Sequence, residues 1–269
     1  MSDESVREVT ESEVAFFHKN GWVHLPSLVN SAVATAMLLT ARSAPRPRRG
    51  AGGKIGFREA QFSDYQGLAA AEETYREYVF SSVMARNASR LLHGDKQVRL
   101  LFEGLLVKDP VGELDGHGPS LYHQDFPYTP VDRTSIVTFW LALADIHAAM
   151  GSMRFYSGSH RYGPLGMHLM DGVDLVDREP WLRELELSAP LNLSPGDATV
   201  HSDLVVHGAP PNTASSPRWA YSVGYFDAAA RYTGQPFGDI DNLNLKYNEP
   251  FDHPQFPIIS QAHANPHPG

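Results

Sequence analysis

The sequence predicts a mainly β protein with flanking α-helices, built around a double-layered antiparallel barrel or jelly-roll core. Three observations lead there. From residue 121 to the mid-220s, short β-type runs alternate with Gly, Pro, Asn and Ser turns, which is the texture of a many-stranded antiparallel core. The strongest helical signals, apolar residues at helical spacing, are confined to the first 92 residues. The chain of 269 residues is 42% hydrophobic with 13 Phe and 11 Tyr, enough large apolar side chains for both a core and a pocket.

Taken in order, residues 11–19 carry Val14, Phe16 and Phe17 at helical spacing, and Asn20-Gly21 supplies a stop signal. Trp22 to Leu25 reads as a strand, and residues 30–41 as a helix with Ser31 as its cap. Residues 43–53 form a basic, Pro- and Gly-rich break that reads as a solvated loop. Residues 69–92 are Ala-rich and lack Pro and Gly, which suits one or two helices. Residues 98–107 are strand-like, residues 111–119 form a Gly-rich loop, and the Pro- and His-rich stretch from Glu249 reads as an irregular surface tail. Neither an internal repeat nor a second composition block is visible, so residues 1–269 are expected to form one domain.

Composition narrows the function classes. A net charge of −9 argues against nucleic acid or an anionic membrane as partner, since both attract basic surfaces. The count of 0 Cys rules out disulfides, thiolate metal sites and cysteine nucleophiles, leaving His, Asp, Glu and backbone oxygen as metal donors. The first ten residues are polar and acidic with no apolar core, and the longest apolar run, residues 136–146, is far too short to span a bilayer. A cytoplasmic protein acting on a small molecule is the expectation.

The chemistry-bearing residues fall in two segments. In Tyr122-His123-Gln124-Asp125, an extended backbone would turn His123 and Asp125 to one side, because side chains alternate along a strand. Residues 196–208 read as a β-type run ending at His207. Two imidazoles and one carboxylate on one face are the ligand set of non-haem Fe(II) oxygenases, which keep positions open for O2 and a cosubstrate. Arg218 follows across the turn-like residues 209–217, and a hairpin there would set it on the strand beside His207, where its guanidinium could grip a carboxylate. An H-x-D pattern by itself arises often by chance among 13 His, and Arg218 could equally be a surface ion-pair partner. His201, six residues before His207, would share its face in a continuous strand and competes as a ligand.

Five motifs in order make the sequence similar to the phytanoyl-CoA dioxygenase family of the wider 2-oxoglutarate oxygenases. Residues 16–26, Phe-Phe-His-Lys-Asn-Gly-Trp-Val-His-Leu-Pro, resemble the family's opening helix and strand. His123-Gln124-Asp125 resembles its ligand motif, residues 140–146 the following strand, and residues 151–161 the segment ending in Gly158-Ser159-His160. His207-Gly208-Ala209-Pro210-Pro211-Asn212, followed by Arg218, resembles the distal ligand and cosubstrate anchor. Two departures lie nearby: Ser157 stands where the family commonly has Pro, and Ala149-Met150 where an acidic-Asn pair is usual.

The resemblance implies a double-stranded β-helix core of the cupin-like kind, Fe(II) held by His123, Asp125 and His207, and 2-oxoglutarate and O2 as cosubstrates. It favours His207 over His201 because the Gly-Ala-Pro-Pro-Asn turn and Arg218 follow His207, and it gives His160 a structural role. It implies that Arg218 pairs with the far carboxylate of 2-oxoglutarate, with Lys54 as a second anchor and Arg58 as its alternative. Trp140 would line the same pocket, or serve as a core tryptophan. The implied reaction begins by hydrogen abstraction from a small organic substrate, a natural product by the likeness to bacterial tailoring members. Hydroxylation, desaturation, cyclisation or epimerisation follows. Related halogenases lack the carboxylate, so Asp125 implies oxygenation and not halogenation. Two other readings share parts of this pattern: a cupin-like metal enzyme without 2-oxoglutarate, and a catalytically silent binding module of the same fold.

Overall fold

Local signals at the N-terminus become an exact start and stop. Helix α1 (Glu11–Asn20) begins with a capping box: Thr10 Oγ1 accepts from the Glu13 N–H at 3.2 Å, and the Glu13 carboxylate accepts from the Thr10 N–H at 2.7 Å. Gly21 ends it with φ 81°, a left-handed conformation that glycine adopts without a Cβ penalty. A Cβ on Gly21 would also come within 2.5 Å of His160 Nδ1, so the residue is required both for its backbone and for close approach.

In this computed structural model, residues 5–43, 61–92, 94, 96–112, 116–237 and 240–259 are described. Lys54, Arg58 and most of the basic break lie outside them. Helix α2 (Ser31–Ser43) is capped by Asn30, whose Oδ1 accepts from the Ala32 N–H, and not by Ser31 as expected. The Ala-rich segment folds as three short helices, α3 (Leu68–Ala71), α4 (Glu73–Val79) and α5 (Ser82–Leu91).

The strands are β1 (Trp22–Leu25), β2 (Ser63–Tyr65), β3 (Val98–Lys108), β4 (Ser120–His123), β5 (Ile136–Ala142), β6 (Arg154–Phe155), β7 (Ala198–Ser202), β8 (His207–Ala209), β9 (Arg218–Asp227) and β10 (Ile258–Ile259). A major sheet runs β1-β7-β5-β9-β3-β10 with β2 added on β3, and a minor sheet runs β4-β8-β6. Every pairing between them is antiparallel. Two antiparallel sheets with helices outside form a double-stranded β-helix core, the fold class read from the sequence.

Strands β5 and β9 are buried along their whole length. Alternation therefore gives the major sheet two covered faces. One face, with Val137, Phe139, Leu141, Val200, Tyr221, Val223 and Tyr225, packs with Met37, Tyr75, Tyr78, Val79 and Met84 of the helices into the principal core. Two of its aromatic hydroxyls are satisfied by backbone, Tyr75 donating to Met37 O and Tyr225 to Val79 O, and Tyr221 donates to the Glu103 carboxylate. The other face carries Lys108, Thr138, Trp140, Thr199, His201, Arg218 and Ser222, all buried between the sheets. That polar inner face is where the site lies.

The C-terminal stretch departs from the expected surface tail. Phe251 and Phe256 are fully buried with Phe226 in a separate cluster, and β10 pairs with β3. Pro spacing hid these aromatic anchors. Among the described residues no helix is long and apolar enough to cross a membrane. Replacing Gly21 with Ala is expected to cost about 2 kcal/mol through its left-handed backbone, lowering Tm by about 4–8 °C in thermal unfolding.

Candidate metal centre and anion pocket

Strand β4 ends at His123, which lies directly opposite His207 of β8 in the minor sheet. Their ring centroids are 4.4 Å apart. The expected extended H-x-D geometry does not hold: Asp125 has φ −77° and ψ −37° and opens a 3-10 turn, Phe126–Tyr128. The turn nevertheless delivers its carboxylate, with Asp125 Oδ1 3.4 Å from His123 Nε2 and 3.7 Å from His207 Nε2. The ligand atoms of the three residues all lie within 4.8 Å of one another.

The residue between the ligands explains how a non-extended segment holds them. Gln124 is fully buried; its Nε2 donates to Gly163 O and Leu204 O, and its Oε1 accepts from the Leu165 N–H. One side chain thus ties the first ligand segment to the loop that precedes the second. Ser159 does the same from the Gly-Ser-His segment, accepting from the Val206 N–H at 2.8 Å and donating to Tyr156 O at 2.7 Å.

Both candidate imidazoles are oriented by backbone. His123 Nδ1 donates to Leu121 O at 2.7 Å, and His207 Nδ1 donates to Val205 O at 3.0 Å. A carbonyl only accepts, so each ring has a proton on Nδ1 and turns Nε2 toward Asp125, the nitrogen left for a metal. Burial, then the neighbouring His201, hold His207 well below the usual histidine range, so it stays neutral. Burial pushes the Asp125 carboxyl up, but the histidines around it, with His201 Nε2 on Oδ2 among them, outweigh it and hold it well below the usual carboxylate range. Two imidazoles presenting Nε2 and one carboxylate fit a divalent iron.

His201 is not on one strand with His207. The expected continuous run breaks after β7 into a turn at residues 203–206, and β8 belongs to the other sheet. The turn is fixed by the buried Asp203, whose Oδ2 accepts from the Ser135 and Ile136 N–H groups and whose carboxyl is pushed up to about 7 by burial. His201 still comes within 4.2 Å of His207, ring to ring, and its Nε2 lies 3.2 Å from Asp125 Oδ2, the oxygen turned away from the other two histidines' contacts. It reads as a support for the carboxylate.

Arg218 is likewise not on the strand next to His207. Pro210 and Pro211 lack N–H groups for a hairpin ladder, and residues 210–217 cross from the minor to the major sheet. Asn212 sets the crossing, donating to Lys108 O at 2.9 Å and Ser216 O at 2.8 Å. Arg218 then starts β9, 2% exposed, with its guanidinium 5.0 Å above the Trp140 ring and one N–H on Gly151 O. Gly151 has φ 72°, and a Cβ there would meet Pro210 O at 2.3 Å. Trp140 is therefore both a core residue and the floor under the guanidinium.

Burial lowers the Arg218 guanidinium to about 9. Among the described residues no carboxylate forms an ion pair with it, and its Nε has no hydrogen-bond partner. The buried hydroxyls of Thr138, Ser152 and Thr199 also lack partners among the described residues. A buried cation amid unsatisfied donors is costly unless an anion joins it, and this fits a carboxylate cosubstrate. Lys108, directly across from Arg218 in the β3–β9 register, is a second buried cation that the sequence reading missed. Nothing in the sequence marks it, because only the strand register brings it to Arg218.

The polar interior, the two-histidine, one-carboxylate face and the buried guanidinium define a non-haem iron oxygenase that takes an anionic cosubstrate. The chain belongs to the phytanoyl-CoA dioxygenase family, whose profile matches residues 17–220. It is an Fe(II)- and 2-oxoglutarate-dependent oxygenase that uses O2. Among solved structures it is similar to SnoK, a non-heme α-ketoglutarate-dependent carbocyclase from nogalamycin biosynthesis, at 26% identity and TM-score 0.78, covering 95% of this chain and 98% of that one. The epimerase SnoN, in complex with Fe3+, α-ketoglutarate and nogalamycin RO, matches at 24% identity and TM-score 0.76, covering 93% and 98%. EvdO2 from Micromonospora carbonacea var. aurantiaca, complexed with 2-oxoglutarate, matches at 21% and 0.61, covering 87% and 96%. No curated protein sequence matches the chain.

Replacing Gln124 with Leu leaves two part-buried carbonyls and one part-buried N–H without this partner, at about 1 kcal/mol or more each. The expected result is a loss of about 3 kcal/mol, seen as a Tm lower by about 6–12 °C.

Proposed function

We propose that the chain, working as one domain over residues 1–269, binds Fe(II) through His123, Asp125 and His207 and 2-oxoglutarate through Arg218, and oxidises a small natural product. The observation that carries this reading is the pairing of the three converging ligand atoms with a buried guanidinium that has no carboxylate partner among the described residues. Membership in the family and likeness to the carbocyclase SnoK support a role in tailoring antibiotic-type metabolites. The unbroken Asp125 favours hydrogen abstraction followed by hydroxylation, cyclisation, epimerisation or desaturation over halogenation. The acidic net charge and the lack of a long apolar run support a cytoplasmic enzyme without nucleic-acid or membrane partners. An isomerase-type metal enzyme without 2-oxoglutarate would have no use for Arg218.

Bound in this site, iron, O2 and 2-oxoglutarate together supply an oxidant able to take hydrogen from an unactivated carbon. The protein's own residues prepare and confine that chemistry. The backbone carbonyls of Leu121 and Val205 lock the imidazoles with Nε2 inward, and His201 holds the second oxygen of Asp125 so that Oδ1 faces the histidines. Arg218, braced on Trp140 and Gly151 O, offers a fixed charge-assisted contact to a carboxylate in a site shielded from water. The side chains of His123 and Asp125 keep 17% and 26% exposure against 6% for His207, so substrate approaches from the His123–Asp125 edge. There the 3-10 turn carries Tyr128, whose hydroxyl accepts from the His168 and Leu169 N–H groups and docks residues 168–169 as a rim.

Removing His207 as Ala is expected to abolish most Fe(II) binding, while His201→Ala weakens it less; calorimetric iron titration under nitrogen distinguishes them, and the reverse order would overturn the ligand choice. Arg218→Ala is expected to spare iron binding and weaken 2-oxoglutarate by about tenfold to a hundredfold, the value of a charge-assisted contact. Unchanged 2-oxoglutarate affinity would remove the cosubstrate assignment. Lys54→Ala, outside the described residues, is expected to have a smaller effect.

A further inference from the structure

Lys108 and Arg218 are Cα partners across β3 and β9, so their side chains rise from the same inner face. Lys108 is fully buried and Arg218 is 2% exposed. The Lys108 Nζ donates to Ser120 Oγ at 3.2 Å on β4 and to Pro210 O at 3.1 Å on the crossing segment. It therefore sits at the seam between the two sheets, beside the carbonyl that packs on Gly151, the residue that also receives Arg218. An ammonium has three donors; two are spent on these neighbours, leaving one for a ligand.

Charged together, the two buried groups would repel each other, and neither makes an ion pair with a carboxylate among the described residues. The charged groups around Lys108 do not relieve this. Arg218 faces it from β9. Asp109, next along the chain, lies 3.8 Å from His117 Nδ1. Asp64 of β2 is opposite Leu106 with its carboxylate over Gly104, four residues away. Ser120 and Pro210 bring no charge. Burial, and then the charge of Arg218, lower the Lys108 amine to about 6, so without a ligand it is neutral at ordinary pH. A carboxylate arriving beside the pair would reverse that balance.

We propose that Lys108 is a second cationic anchor of the cosubstrate pocket, and that binding of a dicarboxylate draws a proton from solvent onto its amine. The inference rests on the reading of Arg218 as a cosubstrate anchor. It places the second anchor on a rigid strand within the sheets, where the family resemblance had suggested Lys54. It also makes cosubstrate affinity depend on pH in a definite direction. Below about pH 6 Lys108 is charged with or without ligand, and this group contributes no pH dependence. Above that, binding takes up a proton and affinity falls with rising pH, by at most about tenfold per unit.

The test is calorimetric titration of the full-length, Fe(II)-loaded protein with 2-oxoglutarate under nitrogen, at several pH values and in two buffers of different ionisation heat. Wild type is expected to take up a proton per 2-oxoglutarate bound above neutral pH, with Kd rising accordingly. Lys108→Met, which matches the stem but cannot be protonated, is expected to lose the uptake, flatten the pH dependence and bind about tenfold more weakly at pH 6. A merely structural lysine would shift Tm without moving the proton count. No uptake by wild type, or uptake persisting in Lys108→Met, overturns the proposal. If that variant does not fold, the wild-type proton count decides alone. Arg218→Ala separates the two readings: normal 2-oxoglutarate binding there defeats the cosubstrate assignment itself, whereas loss there with no proton uptake in wild type defeats only the role of Lys108.

Discussion

The major sheet is covered on both faces, and one of those faces is polar. That constraint governs the rest of the molecule. Alternation along β5, β7 and β9 sends Phe139, Val200, Tyr221 and Tyr225 to the helices and sends Trp140, His201 and Arg218 toward the minor sheet. The helix-side core supplies the apolar burial that such a fold needs, at about 1.5–3 kcal/mol for each large side chain. It holds the polar face rigid at the cost of keeping charges out of water. Each buried charge has to be answered by a hydrogen bond, an opposite charge or a ligand. Asp125 is answered by His201, Asp203 by two backbone N–H groups, and Arg218 only in part.

The partial answers mark the site. Three structural polar residues near the ligands are saturated: Gln124 uses both ends of its amide, Asn212 makes three hydrogen bonds, and Ser159 both donates and accepts. The residues around Arg218 are not, although they are equally buried. Gln124 and Ser159 fix the two ligand segments to each other, and Gly151 lets the Pro210 carbonyl pass close enough to complete the seam beside Lys108 and Arg218.

Much of this was legible in the chain. Helix α1, β1 and β3 follow periodicity and stop signals closely, while β2 and the splitting of residues 68–91 into three helices do not, and His123, Asp125, His207 and Arg218 were readable as a set from motif order. Their geometry was not. The extended H-x-D segment turned out to be a strand end followed by a 3-10 turn, because Gln124 pulls the backbone toward residues 163–165 and 204. The run from 196 to 208 is two strands in two sheets, because Asp203 anchors a turn to Ser135 and Ile136. The buried aromatics of the C-terminal stretch were masked by prolines.

What the sequence by itself determined is local: where helices start and stop, which residue types alternate, and which donors are chemically able to hold iron and a carboxylate. Periodicity and spacing carry that information because backbone geometry is short-ranged. The tertiary structure alone decided which of those donors meet. The contact of His201 with Asp125, the stacking of Arg218 on Trp140, and the pairing of Lys108 with Arg218 depend on strand register and on the crossing between sheets. Those are fixed by packing among residues far apart in the chain, and no local pattern encodes them.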